Sequence, residues 1–179
     1  MADHTVKGVE PLPEGTLDGS DLRILIVHTR WNFSIVKQLL EGTISTLKSL
    51  KVPASSIVIE SVPGSFELPI AAHRLLSSAQ GASSSQNPAA VSKAFDAAIC
   101  IGVLIKGSTM HFEYIAESAT QGLMRVGLDT GIPVIFGVLT CLTEDQAFQR
   151  AGMARGGHNH GQDWAAAAVE MGLLKRRTS

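Results

Sequence analysis

The sequence predicts an α/β protein: a three-layer α/β/α sandwich built around a four-stranded parallel sheet. Three observations carry that prediction. Short apolar runs at residues 22–28, 56–62, 97–103 and 134–139 have strand length, and the third reads as a strand covered on both faces. The segments between them repeat apolar residues at helical spacing, so each strand is followed by a helix and not by a hairpin. Right-handed crossovers then place helices on both faces of the sheet.

The first strand leaves through Thr29-Arg30-Trp31, and a helix begins near Asn32 with Val36, Leu39, Leu40, Ile44 and Leu47 on one face. Val52-Pro53 stops it. After the second strand, Pro63-Gly64-Ser65 turns into a helix expected over 66–78. Residues 80–93 are small, polar and Ser-rich with one proline, which predicts a flexible surface connection without catalytic residues. The stretch 96–127 organises the rest: a buried strand, the polar turn Lys106-Gly107-Ser108-Thr109, and a long helix with Phe112, Ile115, Ala116, Ala119, Leu123 and Val126 on its apolar face. Thr130-Gly131-Ile132-Pro133 leads to the fourth strand, followed by a helix over 144–151, a Gly/His-rich loop, and a last helix from about 162 to 175. Its run of alanines at 165–168 permits close helix packing. Residues 1–20, with Pro11, Pro13, Gly15 and Gly19, form an N-terminal arm available to a neighbour, and 21–179 form the domain.

Composition bounds the function. A chain of 179 residues, 45% apolar and 17% charged, is a globular domain with a substantial core. A net charge of −1 offers no electrostatic case for nucleic acid or an anionic membrane, so any anionic ligand must be held locally. The first residues read as neither a secretory nor a transit signal, and no apolar run is long enough to span a bilayer; the expected location is cytoplasmic. Cys100 and Cys141 lack metal-type spacing and fall in or beside strands, which predicts reduced core thiols.

Ligands of open parallel sheets bind beyond the C-terminal ends of the strands. That edge gathers His28, Arg30, Trp31 and Asn32 from the first loop, Gly64, Ser65, Phe66 and Glu67 from the second, residues 105–111 from the third and Thr140 from the fourth. Gly107, Ser108 and Thr109 at a helix start can cradle an anion with backbone N–H groups and hydroxyls, and Lys106 would add charge; the same residues serve equally as an ordinary helix cap. His111, one turn into the helix, is either a proton carrier or a hydrogen-bonded structural histidine. Trp31 could stack on a flat heterocycle or simply cover the helix start. The spacing is neither a Walker A loop nor Gly-x-Gly-x-x-Gly, so a nucleotide triphosphate is not indicated.

Five motifs in order sharpen these alternatives: HTRWN at 28–32, VPGSFELP at 62–69, GVLIKGSTMHFEYI at 102–115, PVIFGVLT at 133–140 and QRAG at 149–152. Over roughly residues 21–174 the chain resembles the lumazine synthase family. That resemblance implies a flavodoxin-like fold. It also implies condensation of 5-amino-6-ribitylamino-2,4-pyrimidinedione with 3,4-dihydroxy-2-butanone 4-phosphate to 6,7-dimethyl-8-ribityllumazine, the penultimate step of riboflavin biosynthesis, with neither cofactor nor metal. By the same resemblance Trp31 stacks on the pyrimidine, while Asn32, Gly64, Ser65, Phe66, Glu67, Val103, Leu104 and Ile105 bind that substrate and its ribityl chain. Gly107, Ser108, Thr109 and Arg150 match the phosphate site, His111 the proton-transfer histidine, and Asp163 the carboxylate that orients or charges it. Phe136 and His160 match positions that a neighbouring subunit contributes to the same pyrimidine and ribityl pocket.

Lys106 stands where other members carry Arg, and the loop 152–161 is longer than in shell-forming members. The long loop resembles the fungal, pentameric branch, so the expected assembly is a homopentamer with its sites between adjacent subunits. Two other readings compete. A lumazine or flavin carrier would use the Trp31 pocket without needing His111 or Arg150, and His158 with His160 could begin a metal site but supply too few ligands.

Overall fold

The computed structural model of the chain describes residues 10, 12–13, 15–83 and 94–178. Strand β1 (Ile24–Thr29) is followed by α1 (Phe33–Ser49), and β2 (Ile57–Val62) by a 3-10 turn (Ser65–Glu67) and α2 (Leu68–Ser83). Then come β3 (Ala97–Ile105), α3 (His111–Thr130), β4 (Val134–Cys141), α4 (Glu144–Arg150) and α5 (Gly161–Thr178). The four strands are all parallel in the order β2-β1-β3-β4, the arrangement the alternating pattern predicts.

Period-two alternation divides the core. From β1, Ile24 and Ile26 face α1 and α5, where they join Ile35, Leu39, Leu47, Ala165 and Val169. Leu25 and Val27 face the opposite way, onto Leu68, Ala72 and Leu76 of α2 and Leu123 and Val126 of α3. Both faces of β1 and β3 are therefore covered, which is why these strands read as continuous apolar runs. Each fully buried Leu or Ile contributes about 1.5–3 kcal/mol relative to exposure, so the two half-cores fix the sheet on which the loops stand.

The small face of α5 lets it lie close against α1. Ala165 and Ala168 are fully buried, and a Cβ built on Gly161 would overlap the carbonyl oxygen of Leu39. Thr43 Oγ1 donates to the Gly161 carbonyl oxygen at 3.1 Å, fixing where α5 begins.

The structure departs from the sequence reading in three places. The second helix opens with a 3-10 turn and continues through Ser83, well past residue 78, because Gln80 still has a helical partner to brace: its Nε2 donates to the Thr130 carbonyl oxygen at 3.0 Å. Residues 80–83 thus belong to α2, and the rest of the predicted flexible connection, 84–93, lies outside the described residues. The end of the N-terminal arm packs on its own chain: Leu17 joins the α1–α5 core, and Gly19 N–H donates to Leu50 O at 2.8 Å. Finally, His111 is the first residue of α3, since Met110 takes the N-cap position with ψ of 4°. Ser108 and Thr109 precede the cap.

Candidate active site

Because the strands are parallel, the loops after β1, β2 and β3 share one edge. Arg30 N–H donates to the carbonyl oxygens of Val62 and Pro63 at 3.1 and 3.2 Å, which stitches the first loop to the second. Asn32 adopts a left-handed backbone, φ 55° and ψ 42°, and its Nδ2 donates to Val103 O at 3.0 Å, stitching the same loop to β3. The three loops are thus one surface.

On that surface Trp31 and the second loop touch. A Cβ on Gly64 would meet Trp31 Cδ1 at 3.2 Å and Glu67 Oε2 at 3.3 Å, so the indole edge passes over bare backbone. Glu67 Oε2 accepts from Gly64 N–H at 2.9 Å, closing a small ring that holds the carboxylate in place. Ser65 is buried beneath, against Gly102. Trp31 is 73% exposed and Phe66 58%, leaving two aromatic surfaces uncovered by the chain that carries them.

The polar turn Gly107-Ser108-Thr109 follows β3 in the open, with no protein atom near the Cα hydrogen face of Gly107. Thr109 Oγ1 accepts from His111 N–H at 3.4 Å, a long bond that leaves the hydroxyl available. Lys106 does not add free charge there. Its ammonium is paired with the carboxylate of Glu113, and that hydrogen bond holds Glu113 below the usual carboxylate range. An anion at this turn would therefore rely on N–H groups, hydroxyls and the start of α3.

A second cluster sits at the α4–α5 junction. Arg150 ends α4, Asp163 lies in the first turn of α5, and His158 and His160 occupy the loop between. Arg150 Nη1 is 3.1 Å from His160 Nε2, His160 Nδ1 is 3.0 Å from Asp163 Oδ2, and His158 Nε2 is 3.0 and 2.9 Å from the two oxygens of Asp163. Burial, with the nearby Arg150 charge, holds His160 below its ordinary value, and Asp163 opposes that shift.

These two groups are not brought together within one chain. Among the described residues, neither Arg150 nor Asp163 hydrogen-bonds to His111 or to residues 107–109. The expected pairing of Asp163 with His111 is thus not formed inside the subunit: α3 packs with α2 on one face of the sheet, while α5 packs with α1 on the other. Phe136 is apart as well. It pairs with Cys100, five residues short of the Ile105–Cys141 level, or about 16 Å down the edge strand at strand spacing.

Sequence reasoning missed two partners. Glu113 answers Lys106 across the turn, and His158 is the second imidazole on Asp163. No periodic spacing announces either pair, since both depend on how a loop closes. The ligand atoms of His158, His160 and Asp163 lie within 4.8 Å of one another, near enough to suggest a cation site. The second nitrogen of a metal-bound histidine normally donates a proton outward, but His160 Nε2 faces the donor Arg150, which opposes metal binding at Nδ1.

A parallel α/β sheet with an exposed indole, a hydroxyl-lined helix start and an imidazole along one edge defines an enzyme of the doubly wound class acting on small molecules. The 6,7-dimethyl-8-ribityllumazine synthase family matches residues 21–176. A protein of that name from Pyricularia oryzae is 54% identical over 181 aligned positions, covering 89% of this chain and 90% of its own. Another from Schizosaccharomyces pombe is 53% identical over 171, covering 94% and 95%. The chain belongs to the 6,7-dimethyl-8-ribityllumazine synthase family.

Proposed function

We propose that two adjacent copies of this chain build one crevice in which the pyrimidinedione amine condenses with the butanone phosphate, without a cofactor. Membership of the family makes the chain a transferase of riboflavin biosynthesis that forms dimethylribityllumazine. One copy supplies Trp31, Asn32, Gly64, Ser65, Phe66, Glu67 and the strand end Val103, Leu104 and Ile105 for the pyrimidine and its ribityl chain. The same copy offers Gly107, Ser108 and Thr109 to the phosphate and His111 for proton transfer. The neighbour supplies Phe136 and His160. Arg150 and Asp163 are hydrogen-bonded to His160, so they enter whichever crevice it enters.

The separation of these two groups within one subunit is the observation that carries this reading. The two groups are complementary: the first has the proton carrier and the neutral donors of the 107–109 turn, where Lys106 is paired with Glu113, and the second has the Arg150 guanidinium. Together they hold a phosphate dianion between a helix start and a guanidinium fork. Holding an aryl amine beside a ketone accounts for much of the acceleration, while His111 moves protons during imine formation and phosphate elimination.

A ring of five is the assembly we favour. The outward stripe of α3 leaves Tyr114, Met124 and Leu128 uncovered in the isolated chain, which fits burial against neighbours. The long 152–161 loop disfavours further packing of rings into a shell. A cytoplasmic location fits two free, buried thiols, Cys100 and Cys141.

Complementation tests the shared crevice. His111→Ala and Arg150→Ala chains are unfolded together, refolded as mixed assemblies, and assayed for phosphate release at low butanone phosphate. If sites lie between copies, about a quarter of them regain both wild-type groups in a random mixture, and activity rises above that of either variant alone. If each site lies within one chain, mixing gives only the average. Sedimentation of the wild-type protein should give a mass of about five chains, whereas about sixty would reverse the assignment.

A further inference from the structure

The links from Arg150 through His160 to Asp163 have only one consistent proton arrangement. A guanidinium has donors and no acceptor, so His160 Nε2, 3.1 Å from Arg150 Nη1, must be the bare nitrogen. A neutral imidazole then carries its proton on Nδ1, which donates to Asp163 Oδ2 at 3.0 Å. His158 Nε2 donates to the same carboxylate from the other side. Among the described residues, Arg150 from α4, Asp163 from α5 and His158 from the intervening loop are the charged or titratable groups that face His160.

The backbone holds the relay as firmly as the side chains do. His160 N–H donates to Arg150 O at 3.0 Å, and Ala151 bridges Asn159 in antiparallel fashion. Asn159 Nδ2 donates to Gln38 O at 2.8 Å while its Oδ1 accepts from Gly161 N–H at 2.9 Å, tying the loop to α1 and to the start of α5. The imidazole is therefore presented to Arg150 by a fixed frame.

We propose that His160 is a positioning residue for Arg150: a neutral imidazole, locked in one tautomer by Asp163, that grips one guanidinium N–H and leaves the rest for the phosphate of the butanone substrate. A carboxylate in its place would hold Arg150 as well but would sit directly against the positive charge. The interposed ring keeps Asp163 at a distance, and Coulomb attraction falls in inverse proportion to separation, so more of the guanidinium charge is left for the dianion. This role rests on the reading that Arg150 serves the phosphate, and it differs from a direct contact between His160 and the pyrimidine.

Steady-state kinetics with each substrate varied in turn, on assembled wild type, His160→Phe, His160→Gln, Asp163→Ala and Arg150→Ala, separates the possibilities. His160→Phe keeps a ring but neither hydrogen bond, and it should raise KM for the butanone phosphate about tenfold with kcat and the pyrimidinedione KM little changed. His160→Gln offers one acceptor and one donor and should restore KM to within about threefold of wild type. Asp163→Ala frees the tautomer without touching the ring, so it should raise the same KM by a smaller factor, which also serves if His160→Phe does not assemble. If Arg150→Ala raises KM while His160→Phe and Asp163→Ala do not, the positioning role is wrong and the phosphate role of Arg150 stands. A rise confined to the pyrimidinedione KM in His160→Phe would overturn it in favour of direct substrate contact. Were Arg150→Ala itself silent, the phosphate assignment would fail and this proposal with it.

Discussion

Asn32 and Val103 join the first loop to the end of the central strand: Asn32 Nδ2 donates to Val103 O at 3.0 Å from a left-handed backbone at the start of α1. Asparagine tolerates that conformation better than most residues, and its amide is spent on holding the rim. Asn32→Ala should lose both advantages, roughly 1 kcal/mol for the bond and 1–2 kcal/mol for backbone strain. Asn32→Gly loses the bond but adopts the conformation freely, so urea denaturation should find it the less damaged of the two. Equal losses would show that the backbone conformation contributes nothing measurable.

A second contact lies beneath the Trp31 side of the edge. A Cβ on Gly102 would come 2.6 Å from Ser65 Oγ and 3.3 Å from Thr29 Cγ2, and all of these atoms are buried. Gly102→Ala must displace Ser65, at a cost of about 1–3 kcal/mol for overpacking. It should also raise the KM for the pyrimidinedione. Adding Ser65→Gly should recover stability, because the clashing hydroxymethyl is gone, yet leave KM high. A double mutant whose stability loss equals the sum of the single losses would mean that the two residues do not compete for the same space.

The layered fold was legible because strand burial and helix spacing leave periodic traces. Ile24 and Ile26 against Leu25 and Val27 show the two-sided core directly, and the edge position of β2 appears in its charged and polar residues Glu60 and Ser61. Which loops share an edge follows from parallel strands alone. Loop closure was not legible. Thr109 accepts from His111 N–H, Lys106 turns to Glu113, and Asp163 collects His158 and His160, all through contacts that no spacing rule encodes. The extension of α2 was hidden for a related reason: Gly81 is a poor marker of a helix interior, but the Thr130 carbonyl that Gln80 reaches belongs to a distant part of the sequence.

His111 stands at the first position of α3, exposed and beside the hydroxyl turn. A crevice that accelerates mainly by holding two substrates together leaves the proton carrier a secondary share. His111→Ala should therefore reduce kcat toward the lower end of the roughly 10²–10⁴-fold range for acid–base catalysis, with little change in either KM. Single-turnover measurement distinguishes this from slower product release. A loss well above that range would make proton transfer, and not orientation, the dominant contribution.

The relay through His160 predicts an acid limb whose direction follows from its shift. Burial first, and the Arg150 charge second, lower the folded value of His160 below the ordinary 6.5, against the opposing pull of Asp163. The neutral ring is thus the native form, and it alone has a lone pair for Arg150. Its contribution to stability is present above pH 6.5 and is lost as pH falls through the lowered folded value, where the imidazolium both loses the acceptor and repels the guanidinium. KM for the butanone phosphate should rise over that window. The substrate phosphate itself titrates near pH 6, and His158 is present in both proteins, so the difference between wild type and His160→Gln isolates the relay. The glutamine variant should show the flatter acid limb; superimposable profiles would remove His160 from the control of Arg150.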